Sequence, residues 1–147
     1  MRIVETEQRA PLAARVTAAE WATRVDLAAC YRIAAHFRMT DLIYTHISAR
    51  VPGTDGHFLI NAYGLLFEEI TASNLVKVTL AGEVLEDEAG LGINPAGYVI
   101  HSAIHGARHD VDCVMHTHTG AGLAVAAQRQ GLLPLTQHAM RFAGGLA

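Results

Sequence analysis

The chain has 147 residues, 51% hydrophobic and 17% charged, with a formal net charge of −3 when histidine is neutral. That balance fits one domain with a modest core and excludes disorder as the main state. No apolar run reaches the roughly 18 residues of a membrane span, no basic block offers nucleic acid an electrostatic footprint, and the N-terminus carries acids and has no apolar h-region for secretion.

Residues 1–16 read as an irregular arm containing Pro11. Thr17-Ala18-Ala19-Glu20 is a capping-box pattern that opens a helix running to about Met39, with Leu27, Tyr31, Ala34 and Phe37 as its apolar stripe. The period then switches to two. Tyr44–Val51 is expected as a strand, Pro52–Gly56 as a turn and His57–Asn61 as the returning strand. A short turn or helix around Thr71–Asn74 leads to a third strand at Leu75–Leu80, and Ala81-Gly82 turns it into Glu83–Leu85. Lys77, the single lysine, alternates with Val76 and Val78 and reads as a solvated side chain, not a Schiff-base nucleophile. After an acidic loop at 86–93, Asn94 and Pro95 start a helix to about Arg108, with Ile100, Ala103, Ile104 and Ala107 on one face. Val111–His118 is expected as a strand, Gly120–Gln130 as an Ala-rich helix and Pro134–Phe142 as a further strand. Cys30 and Cys113 sit in apolar periodic segments, which suggests buried thiols in a reducing, cytoplasmic setting. These elements predict an α/β layered domain over 17–147 whose sheet is largely antiparallel or mixed. The last residues, Phe142-Ala143-Gly144-Gly145-Leu146-Ala147, have no polar tail, and a domain truncated at its C-terminus is expected.

Nine histidines are the unusual count. In His116-Thr117-His118 the two rings would leave one strand on the same face, a rigid pair suited to Zn²⁺ or a similar ion. The plain alternative is two polar residues at a strand end. Small residues follow at Thr119-Gly120-Ala121-Gly122 and leave room for a ligand. A catalytic zinc usually takes three protein ligands. His101 and His105, spaced i, i+4, could hold metal but more simply cover a helix surface. His138 is a candidate ligand or acid/base group, again against a structural reading. His36, His46, His57 and His109 have no distinguishing context and read as structural.

The order of several stretches is more specific than any one of them. Thr45-His46-Ile47-Ser48-Ala49-Arg50, the run Ile60 to Ile70, Asn94-Pro95-Ala96-Gly97-Tyr98-Val99-Ile100-His101 and Val114-Met115-His116-Thr117-His118-Thr119 together resemble the class II aldolase/adducin family, from Thr17 to Leu146. The resemblance implies a three-layer α/β/α fold with a central mostly antiparallel sheet. It implies a homotetramer with active sites between subunits and a small-molecule substrate. It also implies a divalent metal, zinc first and manganese or iron(II) as other candidates, held by His116 and His118. In the sugar-phosphate aldolases that metal holds the enediolate oxygens formed in retro-aldol cleavage.

The departures from that pattern matter as much. The aldolases place an acid/base glutamate where Gly97 stands, and no carboxylate lies between Asn94 and Arg108. Their Gly-Asn-x-Ser phosphate motif has His46 for Asn, with Ser48 retained. Their second phosphate loop reads Asn61-Ala62-Tyr63-Gly64, without the Thr and Ser hydroxyls. Ser48 and Gly64 are therefore the substrate-binding candidates, and His138, which replaces an assisting tyrosine, is the catalytic candidate. The third metal histidine is expected beyond residue 147. One reading is a metal-dependent lyase performing aldol cleavage or decarboxylation. Decarboxylation needs no prior proton abstraction, and His138 or His101 would supply the proton. The alternative is a non-catalytic, adducin-like oligomeric scaffold of cytoskeletal type, or a pseudo-enzyme left by truncation.

Overall fold

The computed structural model describes residues 10–146. Most of the expected arm lies outside them, but Leu12–Arg15 forms a short helix, α1. That part of the arm is ordered because Leu12 is buried and Arg15 pairs with Glu86 at 2.7 Å and Glu88 at 2.6 Å.

Helix α2 covers Ala18–His36 and starts where Thr17 Oγ1 accepts the Glu20 N–H at 3.1 Å. The Glu20 carboxylate does not complete a capping box. It is buried, accepts from Arg24 Nε at 3.0 Å and pairs with Lys77 Nζ at 2.9 Å. Lys77 is therefore an ion-pair partner rather than a solvated side chain: a buried carboxylate needs cations within reach. Leu27, Tyr31 and Ala34 are buried as the stripe requires, whereas Phe37 takes the C-cap position and is exposed.

Four hairpin-connected strands follow: β1 His46–Arg50, β2 His57–Ile60, β3 Val76–Thr79 and β4 Val84–Glu86, with a 3-10 turn at Phe67–Glu69. Gly53 and Gly56, at φ of +72° and +75°, let the β1–β2 loop close. Helix α3 spans Pro95–Ala107, and β5, Cys113–His116, pairs with β1. The sheet order is β4-β3-β2-β1-β5, with every neighbouring pair antiparallel. β1, between β2 and β5, has a helix on each face. Ile47 packs with Leu27, Tyr31 and Phe67 on the α2 side, and Ser48 bonds to α3 on the other. This gives the layered α/β arrangement of helix, sheet and helix.

Tyr31 ties the layers together. Its hydroxyl accepts the N–H groups of Ile47 at 2.9 Å and Asn61 at 3.1 Å, and faces the Ile47 carbonyl and Asn61 Oδ1. It serves β1 and β2 just beyond the last residue pair of their ladder, Ser48 and Ile60. Burial pushes its pKa up, so it stays protonated.

α3 is turned over relative to its hydropathy. Asn94 Oδ1 caps it at Ala96 N–H, 3.0 Å, with Pro95 in the first turn. Yet its buried residues are Gly97, His101 and His105, while Val99 is 61% and Ile100 50% exposed and Ala103 and Ala107 face outward. The histidines go inward because the sheet offers them hydrogen bonds there, so they do not cover a surface. Two further readings are corrected. Cys113 is exposed because it lies on β5, an edge strand, and Cys30 on α2 is only half-buried.

The chain divides into two compact units, the first ending at Thr117 and the second starting at His118. In the second, α4 covers Gly120–Ala126, with Thr119 Oγ1 accepting the Gly122 N–H at 2.9 Å. Residues expected as a last strand instead contain helix α5, Gln137–Met140, because Thr136 Oγ1 accepts the Ala139 N–H at 3.1 Å and caps a helical turn. No helix among the described residues is long and apolar enough to cross a membrane.

Candidate functional site

The α3 face of β1 carries a cluster of imidazoles. Strand alternation puts His46, Ser48 and Arg50 on that face. Register then sets His46 opposite His116 on β5. From α3, the i, i+4 spacing brings His101 and His105 over Ser48. Ser48 Oγ lies 2.6 Å from His101 Nδ1 and 2.8 Å from His105 Nε2, and all three residues are fully buried. The His46 ring sits 6.0 Å from that of His101 at 78°, and 6.2 Å from that of His116 at 22°. Phe58 packs on His105 at 5.0 Å. Arg50 closes the far end, donating to the His105, Arg108 and Val111 carbonyls at 2.5, 2.8 and 3.0 Å. A cation there suits the C-terminal end of α3.

A hydroxyl has one proton to give. It also has two lone pairs, so Ser48 can donate to at most one ring, and at least one ring donates to it. Burial is the main cause that lowers both rings' pKa to about 4. For His101 the neighbouring His46, His105 and His116 add to it, and for His105 the charge of Arg50 does. Both rings are neutral near pH 7. His116 is only half-buried, so the cluster meets its surroundings there while His46, His101 and His105 lie behind it.

The sequence candidates divide. Ser48 and His116 belong to the cluster. β5 ends at His116, and His118 opens the second unit. Gly64 lies in an exposed turn at φ +83°. His138 is exposed on α5. Among the described residues, no group of three or more His, Cys, Asp or Glu is placed to hold a metal ion. His46, read as structural, is in the cluster, and His101 and His105, read as covering a helix surface, are buried in it. The available signal for His46 was its alternation with Ser48.

Known proteins place this geometry in context. The family profile of the class II aldolase and adducin N-terminal domain matches residues 25–147. A Pseudomonas aeruginosa protein of the aldolase class 2 type is 63% identical over 131 residues, covering 89% of this chain and 50% of its own length. Rat alpha-adducin is 49% identical over 118 residues, 80% of this chain and 16% of its own. The chain thus spans about half the length of its curated bacterial relatives. Among solved structures, an aldolase II superfamily protein from Pseudomonas syringae superposes with a TM-score of 0.89 at 64% identity, over 91% of this chain and 54% of its own. The L-fuculose 1-phosphate aldolase of Glaciozyma antarctica gives 0.80 at 33% identity, over 85% and 51%.

Proposed function

The chain belongs to the class II aldolase/adducin family, and from that premise we propose that it is a lyase-type member acting on a small carbonyl or carboxylate substrate, by aldol cleavage or decarboxylation, beside the imidazole cluster. The observation that carries this reading is the Ser48 hydroxyl held between His101 and His105 beneath His46. Sinking these polar groups costs folding energy unless each is satisfied, and apolar side chains would build a plain scaffold with less loss.

In this reading Ser48 acts through the rings, because its hydroxyl is buried and bonded to both of them. It fixes their orientation and limits their proton positions. His116, at the accessible end, faces the substrate. His138 stands as the proposed acid/base group and Gly64 as a proposed substrate-loop residue. His116 and His118 are the proposed metal pair, for zinc or else manganese or iron(II). The described residues do not by themselves fit a metal, since no three-donor group exists among them. The proposal needs a further donor from elsewhere. A homotetramer and a cytoplasmic location belong to the same reading.

A second reading, a non-catalytic oligomeric scaffold, has its own support in the likeness to alpha-adducin. Two measurements on the purified chain separate them. One is zinc content and titration. The other is product release from L-fuculose 1-phosphate and from a panel of small hydroxyketones and 2-keto acids. The lyase reading expects weak zinc binding lost in His116→Ala, and turnover that falls with it. Submicromolar zinc binding through three ligands of this chain contradicts the incomplete-site account. A stable metal-free oligomer with no turnover on any substrate favours the scaffold.

A further inference from the structure

Gly97 lies on the buried face of α3, one turn before His101, and its backbone presses on the site. A Cβ built on Gly97 would stand 2.8 Å from each of three His46 ring atoms, Cγ, Cδ2 and Cε1. Equal distances to atoms on different sides of the ring put that point over the ring's face. Real Cβ atoms do not approach so closely, so one of the two groups would have to give way. His46 cannot easily do so. It is 4% exposed, with the His101 ring at 6.0 Å and the His116 ring at 6.2 Å. β1, which carries it, is held by ladders on both sides.

We propose that the His46 imidazole and any side chain at position 97 are mutually exclusive occupants of one space, so that His46 determines what walls the site on its α3 side. Position 97 is glycine because the ring is there. The pair specifies the site jointly: with His46 the wall is an imidazole face, and without it α3 is free to send its own side chain inward at 97. Glycine otherwise weakens a helix interior relative to alanine, and this contact is what retains it. The inference extends the reading of the cluster as the functional site, but its test reads the contact itself and so stands or falls apart from turnover.

A double-mutant cycle on the full chain provides that test, using thermal melts of the parent, Gly97→Ala, His46→Ala and the combined variant. In the parent background Gly97→Ala is expected to lower Tm by roughly 4–12 °C through overpacking. In the His46→Ala background the same change is expected to raise Tm by roughly 2–4 °C, because alanine then acts only as the better helix former. Equal losses in both backgrounds would overturn the proposal. The unaltered chain supplies a second readout should a variant not fold. The Gly97 Hα that points at the imidazole face is expected to be shifted upfield by the ring in proton NMR, and to lose that shift in His46→Ala where that variant folds. An unshifted Gly97 Hα in the parent would refute the contact.

Discussion

Acid should loosen this fold through two particular rings. His101 and His105 are both fully buried, and their pKa values are lowered from 6.5 to about 4. The first cause is burial; neighbouring histidines add to it at His101 and Arg50 at His105. An unfolded chain protonates these rings near pH 6.5, and the folded chain only near pH 4. Between those values the unfolded state binds more protons, so stability is full above pH 6.5 and falls as pH drops. At pH 5 the linkage amounts to about 2 kcal/mol for each ring, and about 4 kcal/mol for the two as an upper figure, since they share the Ser48 hydroxyl and titrate as a coupled pair. Urea unfolding followed by the fluorescence of Trp21, the single tryptophan, at pH 7, 6 and 5 measures it. The expected result is a midpoint that falls steadily, with His105→Phe losing about half of the dependence. An unfolding free energy that stays flat from pH 7 to 5 would show that the rings are not buried and neutral.

Removing the hydroxyl alone should be costly as well. Ser48→Ala leaves two buried ring nitrogens without their partner and is expected to lose about 2–4 kcal/mol in thermal or urea unfolding; unchanged stability would deny the bridge. Tyr31→Phe strips the acceptor from the Ile47 and Asn61 N–H groups. It is expected to cost about 2 kcal/mol and to speed hydrogen exchange at those two amides above others in β1 and β2. Uniform exchange in the variant and parent would contradict the role given to Tyr31.

Hairpins and the long helix were readable because their signals are local. Alternation from Tyr44 onward, the glycines of the 52–56 turn and the Thr17 cap each act within a few residues, and β1, β2 and α2 appear where those signals sit. α3 was placed correctly, but its buried face was read backward. Hydropathy ranks Val99 and Ile100 above His101 and His105. The partner that draws the histidines inward, Ser48, lies 53 and 57 residues away in sequence. No periodicity reports a partner at that distance. The same gap hid His46, whose place becomes visible only when β5 is set against β1 and α3 is laid over both. Residues 134–142 failed for the opposite reason. A strand is expected there, and the single Thr136 cap is enough to start a helical turn. Order among several motifs, rather than any one of them, points to the family, whose three-layer fold agrees with the layered α/β domain that the elements themselves predict.

The bridge limits where the protons lie, and that can be observed directly. Ser48 Oγ meets His101 at Nδ1 and His105 at Nε2. If the hydroxyl donates to His101, both rings carry hydrogen on Nε2. If it donates to His105, both carry it on Nδ1. A long-range ¹H–¹⁵N correlation spectrum of the ¹⁵N-labelled chain at pH 7 reads each ring's tautomer. The account predicts two neutral rings of which at least one donates to Ser48, with hydrogen on Nδ1 of His101, on Nε2 of His105 or on both; hydrogen on Nε2 of His101 together with Nδ1 of His105, or a doubly protonated ring, would contradict it.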